Sequence, residues 1–198
     1  MRLILLLPAL LAAALAPGCT LFVSVPDLEP LPERHIRLDA VAYVPQQADW
    51  DCGPACLATL LRHHGHHVTL DQVKARLKRA ASGGTLWLEM LFGARQNGLR
   101  ARLIDGDINR LRRRLFGRQP VILMLHNAPD IVTWIVKRQG HYVVAVGYDD
   151  DDRELILHTG RSSFATMSYR RLQLQWSRAK FKMLAVEKAG GNAPPSDR

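Results

Sequence analysis

Gln46-Gln47-Ala48-Asp49-Trp50-Asp51-Cys52-Gly53-Pro54-Ala55-Cys56-Leu57-Ala58-Thr59-Leu60-Leu61 is the stretch on which the reading of this chain turns. A polar loop runs into a cysteine, then into small residues, then into apolar residues at helical spacing. Pro54 suits the first turn of a helix, where its missing N–H costs nothing. Leu57, Leu60 and Leu61 give that helix a buried face. Cys52 therefore falls at a helix N-terminus, where the dipole and the free N–H groups favour a thiolate. A side-chain amide just upstream can donate to an oxyanion formed at such a sulfur. Gln46 is the expected donor and Gln47 its rival. Cys56 lies one turn on and reads as core packing. A Cys52–Cys56 disulfide is not expected, because i and i+4 Cβ atoms stand about 5–6 Å apart and a bridge wants about 3.8 Å.

A second run, Gly140-His141-Tyr142-Val143-Val144-Ala145-Val146-Gly147-Tyr148-Asp149, opens a β segment on a histidine. An imidazole on a strand facing a thiol on a helix can act as base during attack and as acid toward a leaving amine. Alone, His141 would read as a core or edge histidine. With Cys52 it reads as a catalytic partner.

In this order and separation, the two motifs resemble the papain-like peptidase family known from the N-terminal domains of bacteriocin exporters, which cut after double-glycine leaders. The resemblance covers about residues 36–187. It implies an α+β fold, with an N-terminal helical half carrying Cys52 and a C-terminal antiparallel sheet carrying His141. It implies a cysteine peptidase with Cys52 as nucleophile, His141 as base and Gln46 as oxyanion donor, acting on a peptide or protein without a cofactor. The family's usual third residue is an aspartate before a proline at the end of the next strand. That position here falls within Leu157-His158-Thr159-Gly160, most simply on Thr159. The orienter of His141 is thus Thr159, Asn127, a carboxylate from Asp149, Asp150, Asp151 or Asp152, or a backbone carbonyl. The aspartate run also reads simply as a hairpin turn. A peptidase-like module that binds a peptide or envelope polymer without cleaving it is the alternative.

The chain has 198 residues, 47% of them hydrophobic, enough for one domain with a real core. Residues 1–18 read as a lipoprotein signal peptide: Arg2, an apolar run over 3–16, then small residues before Cys19. Lipid on Cys19 would anchor the protein in a bacterial envelope, facing the periplasm. By resemblance to lipoprotein sorting in Gram-negative bacteria, Thr20 rather than an aspartate after the cysteine points to the outer membrane. Residues 19–35 read as a tether, 36–187 as the peptidase domain and 188–198 as a disordered tail. Once Cys19 is set aside, the cysteines leave no disulfide scaffold.

The formal charge is +9, with arginines densest over 110–118. No nucleic-acid motif accompanies them, and they read as a solvated basic face. His63, His64, His66 and His67 cluster around Gly65 without a carboxylate or cysteine at ligand spacing, so they read as a helix-end cap and no metal is expected.

Periodicity predicts helices over 52–64, over 70–77 behind a Thr69/Gln72 capping box, over 85–97 with Leu86, Met90 and Leu91 inward, over 108–118 behind Asp107, and over 169–176. It predicts strands over 36–44, 99–104, 121–125, 141–148, 154–158, 163–168 and 181–186. A loop over 127–138 would carry Trp134 and Ile135.

Overall fold

The computed structural model describes residues 24–77, 84–126 and 140–190. The signal segment with Cys19, the orienter candidate Asn127, the loop bearing Trp134 and Ile135, and the last eight residues lie outside them.

The architecture is α+β. Its five described helices are α1 (Cys52–His63), α2 (Leu70–Arg76), α3 (Trp87–Gln96), α4 (Ile108–Phe116) and α5 (Tyr169–Ser177). Its strands are β1 (His35–Arg37), β2 (Leu99–Asp105), β3 (Val121–His126), β4 (Gly140–Asp149), β5 (Glu154–His158), β6 (Ala165–Ser168) and β7 (Lys182–Lys188). They form one antiparallel sheet in the order β2-β7-β3-β4-β5-β6, and β1 pairs with the far end of β4. This is the papain-like arrangement that the two motifs imply: a helical half first, then a sheet.

The local chemistry of the helices follows the sequence closely. Thr69 and Gln72 form the reciprocal capping box, Thr69 Oγ1 accepting from Gln72 N at 3.2 Å and Gln72 Oε1 from Thr69 N at 2.9 Å. Asp107 Oδ1 accepts the Arg110 N–H at 2.7 Å and starts α4, whose Ile108, Leu111 and Leu115 are fully buried. In α3, Met90 is buried as expected, but Leu86 is the N-cap residue and is 53% exposed. The helix starts two residues later than its apolar period suggests, which turns Leu86 outward.

The helix that carries Cys52 is the central one. From Cys52 to Leu61 every residue is buried, and α1 packs against β4. A helix that is apolar nearly all round belongs inside a domain. β4 runs through the middle of the sheet with Tyr142 to Tyr148 buried.

The strand expected over 36–44 is shorter than its alternation suggests. Pairing with β4 ends at Arg37, where β4 carries a bulge between Ala145 and Gly147. Leu38 N then bonds Val146 O at 2.8 Å, and Val41 N turns back to Leu38 O at 3.0 Å. A Cβ on Gly147 would sit 2.2 Å from Ile36 O, so β1 approaches this closely only because the residue is glycine. Chain that would have extended β1 is thereby released into the loop leading to Cys52.

Two expectations about charge and order are corrected. Arg112 and Arg114 are not part of a solvated face; they are 2% and 0% exposed. Arg112 Nε donates to Asp150 Oδ1 at 2.8 Å, its Nη2 bonds Asp150 Oδ2, and Tyr169 OH donates to Asp150 Oδ1 at 2.8 Å. Arg114 Nη2 pairs with Glu187 Oε1 at 2.9 Å. Nor are residues 24–34 loose, although they show no period. Val25, Leu28 and Leu31 pack on the core, Arg112 Nη1 donates to Glu29 O at 2.9 Å, and Tyr148 OH donates to Glu33 O at 2.7 Å. At the other end, Lys188 pairs with Leu99 and still belongs to β7.

His158, buried on β5, donates from Nε2 to Val41 O at 2.9 Å and accepts the Phe164 N–H at Nδ1, 3.2 Å. Burial holds its pKa below the ordinary imidazole value, and burial does the same to His63 and His64. A group whose folded pKa is lowered binds its proton more readily when unfolded, so acid favours unfolding. Stability is therefore expected to be complete above about pH 6.5, the unfolded imidazole value, and to fall as pH drops below it. Chemical denaturation at stepped pH checks this. His158→Gln should flatten part of the slope.

Candidate active site

Cys52 is the first residue of α1 and is 6% exposed. The main-chain N–H groups of Tyr142, Gly53 and Cys52 itself lie near enough to the sulfur to favour its thiolate form. The contact with Tyr142 brings the N-terminus of α1 to the strand residue next to His141. β5 pairs with β4 only from Val144 onward, so the β4 edge at His141 and Tyr142 lies beyond that pairing. Trp87 of α3 stacks edge-on against Tyr142, ring centroids 4.8 Å apart, and closes this corner.

The expected low thiol pKa does not follow from this geometry. Burial pushes the Cys52 thiol above its ordinary value; the three N–H groups pull it down without prevailing, and the adjacent Asp51 carboxylate adds to the rise. A helix terminus contributes about 0.3–1 kcal/mol, less than the cost of desolvating an anion. Burial therefore opposes the thiolate here more than the helix terminus favours it. The rate of Cys52 alkylation by iodoacetamide is expected to rise with pH through an inflection above the free-cysteine value of about 8.5. An inflection near neutrality would show a resting thiolate instead. Cys56 lies one turn further in as a second free thiol, fully buried and pushed higher still, so peptide mapping separates the two.

His141 is the second residue of β4. Its Nε2 lies 2.6 Å from the Thr159 carbonyl oxygen. A carbonyl only accepts, so Nε2 carries the hydrogen and Nδ1 is left with its lone pair. The aspartates are excluded as orienters. Asp149 ends β4 eight residues from His141, about 27 Å along an extended strand. Asp149 Oδ2 meets His35 Nδ1 at 2.9 Å, Asp150 holds Arg112, and Asp151 holds Arg34. The Thr159 side chain is turned away too, accepting the Ser162 N–H at 3.0 Å.

Gln46 lies in the loop before α1, on the wall of a cleft of about 330 Å³ lined also by Tyr43, Pro45, Ala48, Gly160 and Arg161. Its Nε2 donates to Ala48 O at 3.1 Å, which holds the amide and leaves a second N–H. Its Oε1 is buried with no hydrogen-bond partner among the described residues. Gln47 is exposed, and its Oε1 stands 3.5 Å from Lys74 Nζ of α2.

One pair beside the cysteine was not foreseen. Asp51 occupies the N-cap position without capping the helix; its carboxylate, 1% exposed, meets Lys74 Nζ at 2.9 Å. Lys74 neutralises a buried negative charge next to the thiol. Nothing in the sequence marks Lys74, since the contact joins two helices through tertiary packing. The acidic residue next to the cysteine was the available signal. No group of three or more potential metal ligands comes together among the described residues.

A central helix with a cysteine at its tip, against a strand that presents a histidine, is the layout of papain-like cysteine peptidases. The chain belongs to the Peptidase C39 family, whose model matches residues 40–189. The peptidase domain of Streptococcus ComA, a bifunctional ABC transporter involved in quorum sensing, is similar at 25% identity and a TM-score of 0.59, covering 75% of this chain and 100% of that one. A C39-like peptidase of Bacillus anthracis shares the fold at a TM-score of 0.66 and 16% identity, over 80% of this chain and all of the other. So does a double glycine motif protease from an AMS/PCAT transporter, in complex with its leader peptide (TM-score 0.59, 18% identity, 82% and 100% coverage). An uncharacterized protein of Methanothermobacter thermautotrophicus is 37% identical over 70 residues, 35% of this chain. The match spans about half the length of that curated relative.

Proposed function

We propose that this chain is a lipid-anchored envelope cysteine peptidase in which Cys52 is the nucleophile, His141 the base, and Gln46 with the Cys52 N–H the oxyanion donors. The observation that carries the reading is the packing of α1 on β4, with Cys52 at the tip of the helix beside Tyr142 and the neighbouring His141 held through Nε2 by a carbonyl.

In the first half-reaction, Nδ1 of His141 takes the Cys52 proton as the sulfur attacks the peptide carbonyl. The oxyanion is stabilised by the Gln46 amide and the Cys52 N–H, each donor of this kind being worth about 10²–10³ in rate. The C–N bond then breaks, and the imidazolium returns the proton to the departing amine. The thioester is hydrolysed by water, which gives a proton to His141; that proton returns to Cys52 sulfur as the acid leaves.

The anchor is inferred from residues 1–19, whose pattern is that of a lipoprotein signal ending at Cys19. Exporter-fused relatives cut leaders on the cytoplasmic side, whereas a lipoprotein faces the periplasm. The substrate we infer is therefore another peptide: an envelope protein, a peptide precursor or a partner's tail. Metabolic fatty-acid labelling should mark the wild type and not Cys19→Ser; equal labelling would remove the anchor. Free N-termini compared between envelopes carrying wild type and Cys52→Ala test the peptidase itself. Termini present with wild type and missing from the variant support it. Identical sets favour the binding module, a reading favoured by one observation: no carboxylate holds His141 among the described residues.

A further inference from the structure

Where the family resemblance would put an aspartate followed by proline, this chain has Thr159-Gly160. Two successive carbonyls of that turn face the two sides of the site. Thr159 O accepts from His141 Nε2 at 2.6 Å, and Gly160 O accepts from the Gln46 main-chain N–H at 2.9 Å. The turn is locked from behind, with Thr159 N donating to Ser162 O at 3.0 Å and Thr159 Oγ1 accepting Ser162 N at 3.0 Å. Gly160 has φ +79, and a Cβ there would lie 2.4 Å from Gln46 Oε1. A proline, with φ held near −65°, cannot adopt that backbone. A side chain of any kind would push the Gln46 amide out of place.

We propose that the Thr159–Gly160 turn replaces the family's third residue with main chain: its first carbonyl fixes the tautomer of His141, and its second, with the bare Gly160 Cα, seats Gln46. Thr159 and Gly160 are positioning residues. They touch the base and the oxyanion donor and leave the substrate alone. The turn therefore couples two functions that a carboxylate orienter would leave independent. It leaves the Thr159 side chain to hold the turn at Ser162 and gives it no direct contact with His141, so an aspartate introduced there would face Ser162 and not the imidazole.

The inference rests on the catalytic reading for its purpose, but its test does not need a substrate. In the full-length protein, long-range proton–nitrogen NMR of the His141 ring at about pH 8, above the ordinary imidazole range, should show hydrogen on Nε2 and none on Nδ1. The opposite tautomer would overturn the proposal. The probe for the oxyanion side is acetyl-glycyl-glycinal, a peptide aldehyde without side chains. The Cys52 S–H adds across its C=O, the sulfur bonding carbon and the proton passing to the oxygen that occupies the oxyanion position. Its affinity is read by protection of Cys52 from iodoacetamide.

Gly160→Ala should lose about 10²-fold in that affinity, the scale of one oxyanion donor, and should also mix the His141 tautomers. Loss of one without the other refutes the coupling. Thr159→Asp should bind the aldehyde no more tightly than wild type, whereas a tenfold tighter aldehyde would mean that the side-chain position is the true orienter site. If Gly160→Ala does not fold, the wild-type tautomer and Thr159→Asp still decide. Should the aldehyde fail to bind wild type, or no peptide be cleaved, with the Nε2–H tautomer present, the catalytic reading fails while the assignment of the turn stands.

Discussion

Cys52→Ala is expected to abolish peptide hydrolysis, with a loss of roughly 10⁶-fold, the scale on which a hydrolase loses rate when its nucleophile is removed. His141→Ala should cost nearly as much, because a nucleophile and its base act as a unit and their losses do not add. The pair should therefore look like either single variant. The argument depends on burial. Burial opposes ionisation of Cys52, so removing a base on β4 should leave the sulfur without help in losing its proton near neutral pH. Cys56→Ala should leave the rate within the same order, since Cys56 lies wholly inside the core with no path to a substrate. Initial rates on a common peptide mixture, read by the appearance of new amines, check all four proteins. A His141→Ala variant as fast as wild type would remove His141 from the mechanism.

Arg112→Met is expected to destabilise the domain by about 3–5 kcal/mol, the cost of leaving a buried charge without its partner. Asp150 would keep only the Tyr169 hydroxyl and its main-chain contacts, at 6% exposure. For a domain of this size that corresponds to a fall in Tm of roughly 6–20 °C. The Arg112→Met/Asp150→Leu double variant should recover most of the loss, because apolar replacements for a buried pair are often neutral. The same guanidinium holds Glu29 O and Asn109 Oδ1, so the single variant should also expose the 24–34 segment to proteolysis at concentrations that leave wild type intact. Thermal unfolding followed by circular dichroism measures the first effect. A shift of less than about 2 °C would mean that the pair is neither dry nor tight.

Most of this fold was legible in the sequence because its signals are local. A capping box needs only Thr69 and Gln72, and a central strand shows as the unbroken apolar run of β3. The family could be read because the Cys52 and His141 motifs are specific and their order is informative. The remainder depended on contacts between distant segments. β1 stops at Arg37 because a bulge on β4 draws Leu38 to Val146, and alternation in residues 36–44 carries no trace of the partner strand. Arg112 and Arg114 look like any helix-surface arginines until Asp150 and Glu187 are placed opposite them. The partner of His141 was the hardest of all. A main-chain carbonyl has no letter in the sequence, so a search among aspartates, an asparagine and a threonine side chain could leave it open but could not select it. The burial that opposes a thiolate at Cys52 is hidden for a related reason: a helix N-terminus is visible in sequence, whereas the depth at which it is buried is not.

The most direct measurement of the central claim is intact-mass spectrometry of the full-length protein mixed with a peptide library and quenched in acid within the first turnover. The account predicts an acyl adduct, held as a thioester on the peptide containing Cys52, present in wild type, absent from Cys52→Ala and strongly reduced in His141→Ala. Peptides retained by the folded protein with no adduct and no new termini would contradict it, and would make this chain a binding module built on a peptidase fold.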